Sequence, residues 1–175
     1  MAVVIDATVG GASANSFVTL AEAQTYCDAT LNESLWESAT TDSKNRALVA
    51  ATRWLNLLSW VGSNVTTTQA LNWPRQWAIN PDVVFFAWNY YDTSTIPTRV
   101  KNATCELALQ FIKAGSTDIA ALDPQVGVTE KTVDVITTRW AVGQRPTGIN
   151  RFPAVMRFIR PLLNGSGNGS TLVRG

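Results

Sequence analysis

The sequence predicts a mainly α protein: a small helical bundle of three main helices, with a β-like loop or hairpin and an extended C-terminal arm. Three observations lead there. Apolar residues recur at helical spacing in separate stretches, each bounded by capping or stop residues. Between two of those stretches lies a long aromatic connection, residues 61–96, with no helical stripe. Charge is also segregated along the chain. Residues 1–134 hold all 13 acids against eight bases, a net of −5, whereas residues 135–175 carry six arginines and no acid, a net of +6.

In chain order, residues 1–15 form a polar, glycine-rich lead-in, and 16–142 form the helical domain that contains the 61–96 insertion loop. In "SFVTLAEAQTYCDA", Thr19 and Glu22 have the spacing of a capping box, and Leu20, Ala23 and Cys27 share a face; this predicts a helix at about 20–30. "ESLWES" predicts a short helical turn. "TTDSKNRALVAATRWLNLLSW" gives the clearest stripe, through Ala47, Ala51, Trp54 and Leu58. It predicts a helix from about 42 to 60, capped by Thr41 or Asp42 and stopped before Gly62. "DVVFFAWNYYD" is apolar and aromatic without helical period and is read as a strand or hairpin edge. "IPTRVKNATCELALQFIKAG" predicts a helix with Pro97 at its first position and Gly115 at its end. "VTEKTVDVITTRWAV" alternates and is rich in β-branched residues, which predicts a strand near 128–142. "FPAVMRFIRPLL" predicts a short last helix opened by Pro153 and stopped by Pro161. It lies within a C-terminal arm and flexible tail spanning 143–175.

Composition excludes much chemistry. The chain has no histidine, so no histidine-based triad, base or metal site is available. Its two cysteines, Cys27 and Cys105, fall in predicted helices and are read as buried thiols. No glycine-rich phosphate loop, GxSxG, CxxC or HExxH occurs. The sequence therefore predicts no enzyme, no cofactor and no metal. No apolar run is long enough to cross a bilayer, so no membrane partner is expected. Ala12-Ser13-Ala14 looks like a cleavage site but lacks a basic start, which predicts no signal peptide and a protein assembled in the cytoplasm.

Aromatic residues neighbour arginines at Arg53-Trp54, at Trp73, Arg75 and Trp77, at Arg139-Trp140 and at Arg151-Phe152. Such pairs are the raw material of a single-strand binding groove. Trp54, however, lies on an apolar stripe, which assigns it to the core. In "ALNWPRQW" we read Trp73, Pro74 and Arg75 as a packing device. Pro74 gives Trp73 an extended approach from which its ring folds back on Trp54 and Leu58. Arg75 reaches either carbonyls at the helix end or an acid on a neighbouring copy. The basic C-terminal segment must meet something acidic: DNA, an acidic partner, or the acidic body of a second copy.

Five stretches in order, "ANSFVTLAEAQTYCDA", "RALVAATRWLN", "ALNWPR", "IPTRVKNATCELAL" and "FPAVMRFIRPLL", resemble a family of tailed-bacteriophage neck proteins, the head-to-tail connectors, adaptors or head-completion proteins. Members often carry the label DnaT-like single-stranded DNA-binding protein, and single-stranded DNA binding is the alternative function. The resemblance implies a structural virion protein located in the neck, in a homo-oligomeric ring usually of twelve. That ring would lie under the portal protein, contact tail or neck proteins, and let DNA pass through its channel. It also implies that the C-terminal arm reaches the portal, which designates Arg145, Arg151, Phe152, Arg157, Phe158, Ile159 and Arg160. The surplus apolar loop designates Val84, Phe85, Phe86, Trp88, Tyr90 and Tyr91 as the subunit or tail interface.

Overall fold

The computed structural model describes residues 2–83, 89–118, 130–133, 136–139 and 148–165, the side chains of 130–133 and 136–139 excepted. The protein is mainly helical. Helix α1 spans Leu20–Asp28, α2 Glu33–Glu37 and α3 Thr41–Asn56. After a connection come α4, Thr98–Ala114, and α5, Pro153–Ile159. A two-residue antiparallel ladder joins β1, Ser63–Asn64, to β2, Arg75–Gln76. A four-residue antiparallel ladder joins β3, Glu130–Val133, to β4, Ile136–Arg139. The single strand predicted near 128–142 is thus two short paired strands.

Local chemistry fixes the helix ends. The Thr19 hydroxyl accepts from the Glu22 amide while the Glu22 carboxylate accepts from the Thr19 amide, closing a capping box at α1. Helix α3 is capped by Thr40 rather than Thr41 or Asp42, because it is the Thr40 hydroxyl that accepts from the Ser43 amide. The helix ends at Asn56, one turn before the predicted stop, and residues 57–60 leave it as a turn. Pro97 sits one residue earlier than predicted, at the N-cap of α4. Gly115 closes α4 with φ +65°, a left-handed conformation that glycine adopts without a Cβ penalty.

Helix α4 is the hub. It packs on α3 and α5, with α1 and α2 also against it. It therefore buries nearly all round, including Val100, Leu107, Leu109 and Phe111, instead of along one stripe. Trp36 of α2 is fully buried, and its indole N–H donates to Gln24 Oε1 at 2.8 Å. The N-terminal residues are tied to α3: the Val3 amide donates to Asp42 Oδ1, and Asn45 Nδ2 donates to the Val3 carbonyl.

The C-terminal residues correct an expectation. Val155, Ile159 and Leu162 are fully buried in the same core as α3 and α4. The Val61 amide donates to Leu162 O, and the Asn164 amide to Ser59 O. Residues 148–165 therefore belong to the body; of the expected arm, 143–147 and 166–175 lie outside the described residues.

Two outcomes follow from this packing. A chain ending at residue 147 is expected to lose its cooperative unfolding transition in circular dichroism. Each buried aliphatic is worth about 2–5 kcal/mol against alanine, and the whole domain only about 5–15. Burial pushes the Cys27 thiol up to about 12 and raises that of Cys105 as well. At pH 8 both are therefore protonated. A thiol reagent is expected to titrate neither in the native protein and both after denaturation.

Candidate functional site

The connection 61–96 is organised by one side chain. Arg75 is 8% exposed. Its Nε donates to Val61 O at 2.7 Å and its Nη2 to Gly62 O at 2.7 Å, with a longer contact to Trp60 O at 3.4 Å. Its Nη1 donates to Asn64 Oδ1 at 2.6 Å and Asn72 O at 3.1 Å. Burial lowers its pKa from the usual arginine value, but a guanidinium in a protein stays charged. Its partners are carbonyls of the loop beyond α3 rather than of the helix end, because α3 stops at Asn56.

Two neighbours complete the clasp. Gly62 has φ +74°, and a Cβ there would collide with the Gln76 carbonyl oxygen and lie 2.9 Å from the Ala78 amide nitrogen. Glycine therefore lets the two backbones approach. Gln69 is also buried; its amide donates to Leu71 O and Pro74 O, while its carbonyl accepts from Thr66 N.

Trp73 is 1% exposed and Pro74 is buried; the peptide between them is cis. The Trp73 ring meets Trp60 and Tyr91 edge-on, with centroids 5.7 and 5.8 Å away. Trp54, expected in the core and against Trp73, instead lies half-buried at the rim, where its indole donates to Thr117 O. Trp60, missed in the sequence because it follows the helix, takes its place; its indole donates to Leu55 O at 3.0 Å.

Beyond the clasp the chain turns outward. Residues 78–80 and 89–91 run antiparallel: the Asn80 amide donates to Asn89 O at 2.8 Å and the Tyr91 amide to Ala78 O at 2.9 Å. Tyr91 was designated as interface, but its ring packs inward on Trp73, and burial raises its pKa. Tyr90 faces out and meets Trp77 edge-on at 5.5 Å. Trp77 is 66% exposed and has φ +62°. Such a φ is unusual for a bulky side chain and costs about 1–3 kcal/mol. Ile79 and Val83 are exposed beside them in sequence. Val84, Phe85, Phe86 and Trp88 lie outside the described residues.

Among the portal-designated residues, Ile159 is fully buried and cannot meet a partner. Arg157 and Arg160 are exposed, and Arg151, Phe152 and Phe158 are half-buried. Arg145 lies outside the described residues. A cleft of about 660 Å³ opens elsewhere, between the start of α3 and the end of α4, rimmed by Thr40, Ser43, Arg46 and Thr117. Arg46 there pairs with Asp42 at 2.7 Å. Among the described residues no three His, Cys, Asp or Glu side chains cluster as a metal site would need, and no helix is long and apolar enough to cross a membrane.

Fold and site together define a small helical protein that presents an outward aromatic pair from a ribbon clasped by a buried arginine. The chain belongs to the family described as "Putative DnaT-like ssDNA binding protein", which it matches over residues 1–175. No curated protein and no solved structure matches it.

The clasp sets three expected outcomes in thermal or denaturant melts. Trp73→Ala is expected to lose about 3–5 kcal/mol, as for other buried rings. Arg75→Lys keeps the charge but not the five-donor fork, and is expected to lose about 2–4 kcal/mol. Gly62→Ala, blocked by backbone on two sides, is expected to lose at least about 2 kcal/mol.

Proposed function

We propose that this protein is a non-enzymatic structural subunit of a tailed-phage neck. In this reading it forms a ring with further copies beneath the portal, joins head to tail, and lets DNA pass through the channel. The supporting observation is the exposed ribbon. Trp77, Ile79, Val83 and Tyr90 point away from a core that is already filled, and residues 76–98 hold Asp82 and Asp92 with no lysine or arginine. Asp82 is paired with Arg99, so the face is chiefly apolar, which suits a protein surface better than a phosphate backbone. The five stretches that resemble head-to-tail connectors support the same reading.

Single-stranded DNA binding is the second reading, and the family description speaks for it directly. On this chain it would combine Trp77 and Tyr90 as a stacking platform with the exposed Arg157 and Arg160 as phosphate contacts. The tryptophan of the arginine-flanked motif that would otherwise stack bases, Trp73, is closed off in the core.

Two measurements separate the readings. Electron microscopy of intact particles is expected to place this chain as a ring of subunits below the portal. Titration with an oligothymidylate across salt is expected to show weak binding and a shallow dependence on salt concentration. Absence from the neck, together with tight binding whose logarithm falls by several units per decade of salt, would replace the first reading with the second.

A further inference from the structure

We propose that Trp77 is the anchor of a self-association contact, seated on the basic outer face of helix α5 of a second copy. This rests on the reading of the chain as a multimeric structural subunit and names the contact that joins its copies.

Three observations converge on Trp77. It is the most exposed aromatic ring among the described residues, at 66%. Its backbone is held at φ +62°, a conformation that a tryptophan leaves unless its surroundings enforce it. The enforcing groups are on either side in sequence: Arg75 ties the preceding residues to Trp60, Val61 and Gly62, and the Ala78 carbonyl accepts from the Tyr91 amide. A strained backbone that pushes a large ring into solvent contributes nothing to the subunit's own core. It does pre-organise a rigid side chain for a partner, and tryptophan is the residue type most enriched at interface centres. Tyr90 buttresses it edge-on, and the two rings alone expose on the order of 200 Å².

Charge selects the occupant. Within residues 76–99 Asp82 is paired with Arg99, which leaves Asp92 as the ribbon carboxylate not held by that arginine, whereas residues 135–175 carry six arginines and no acid. On the described surface that basic segment is α5 and its flanks, where Arg157 and Arg160 are exposed beside half-buried Phe152 and Phe158. Arginine stacks on aromatic faces and pairs with carboxylates, so guanidinium groups beside half-buried rings complement the exposed Trp77–Tyr90 pair with Asp92 two residues further on. Both surfaces lie on every copy. Arg99 spans Asp82, just beyond the paired residues 78–80, and the Phe158 carbonyl, the latter at 3.5 Å, which sets that part of the ribbon beside α5 within one subunit. A subunit offering both can engage neighbours through each. This redirects the exposed part of α5 from the portal to the next copy.

The test places a photo-crosslinker in the full chain as Trp77→p-benzoylphenylalanine, after its melting temperature is shown to match the wild type. It is irradiated at high protein concentration and also within assembled particles. The expected product is a covalent adduct between copies, mapped by mass spectrometry to residues 148–161. Its yield is expected to fall severalfold in the additional presence of Arg157→Glu, and severalfold at 1 M salt. Adducts to nucleic acid, to another virion protein, or to a different part of a second copy would each overturn the proposal, as would no adduct between copies in either setting. A particle whose neck lacks this chain would instead sink the functional reading, and the concentrated-protein arm would still decide the contact.

Discussion

A buried guanidinium surrounded by carbonyl oxygens, with no carboxylate partner among the described residues, holds the long connection of this protein to its bundle. Withdrawing a charge from water costs several kcal/mol. Arg75 offsets that cost by donating to four backbone carbonyls and the Asn64 amide oxygen, and hydrogen bonds to a charged group are worth about 1.5–3 kcal/mol each. The exchange also supplies donors to the carbonyls of Val61 and Gly62, which have left the helix. Lysine could not reach as many acceptors from one point, and an apolar side chain would orphan them.

The same strip of backbone serves other elements. Ser59 O accepts from the Asn164 amide and Leu162 O from the Val61 amide, and Asn164 Nδ2 donates to Trp60 O at 2.8 Å. The exit of α3, the C-terminal residues and the ribbon root thus meet at residues 59–62. Trp73 fills the space beneath, between Trp60 and Tyr91. Gly62 permits the approach, and the ribbon that emerges carries Trp77 outward. Core, clasp and exposed ring are one construction, so a change in Arg75 is felt at the outward surface as well as in the melt.

Much of the bundle was legible in the sequence because it obeys local rules. The Thr19–Glu22 box, the stripe of α3, the glycine that closes α4 and the proline that opens α5 each act over a few residues. What was not legible depends on distance along the chain. The basic stretch 151–162 looks like an arm, but its apolar residues at helical spacing, Val155, Ile159 and Leu162, join α4 in the core from far along the chain. Trp60 and Trp54 trade roles because the helix stops at Asn56, a stop no capping residue announces. Trp73 and Trp77 both neighbour Arg75 in sequence, and no local signal distinguishes the ring that goes inward from the one that a positive φ turns outward. The family match agrees with the resemblance only at the level of the DnaT-like name, and the neck role rests on the reading of the exposed ribbon.

The central claim is that Arg75 is locked by carbonyls on all its donor faces. Nitrogen–proton correlation spectroscopy of the arginine side chains tests it directly, with Arg75→Lys used only to assign the signal. The account expects the Arg75 guanidinium to show separate, slowly exchanging Nη protons, because bonds to Val61, Gly62, Asn64 and Asn72 hinder its rotation and exclude water. An Arg75 signal averaged and exchanging as fast as that of exposed Arg157 would contradict the account, and with it the clasp that presents Trp77.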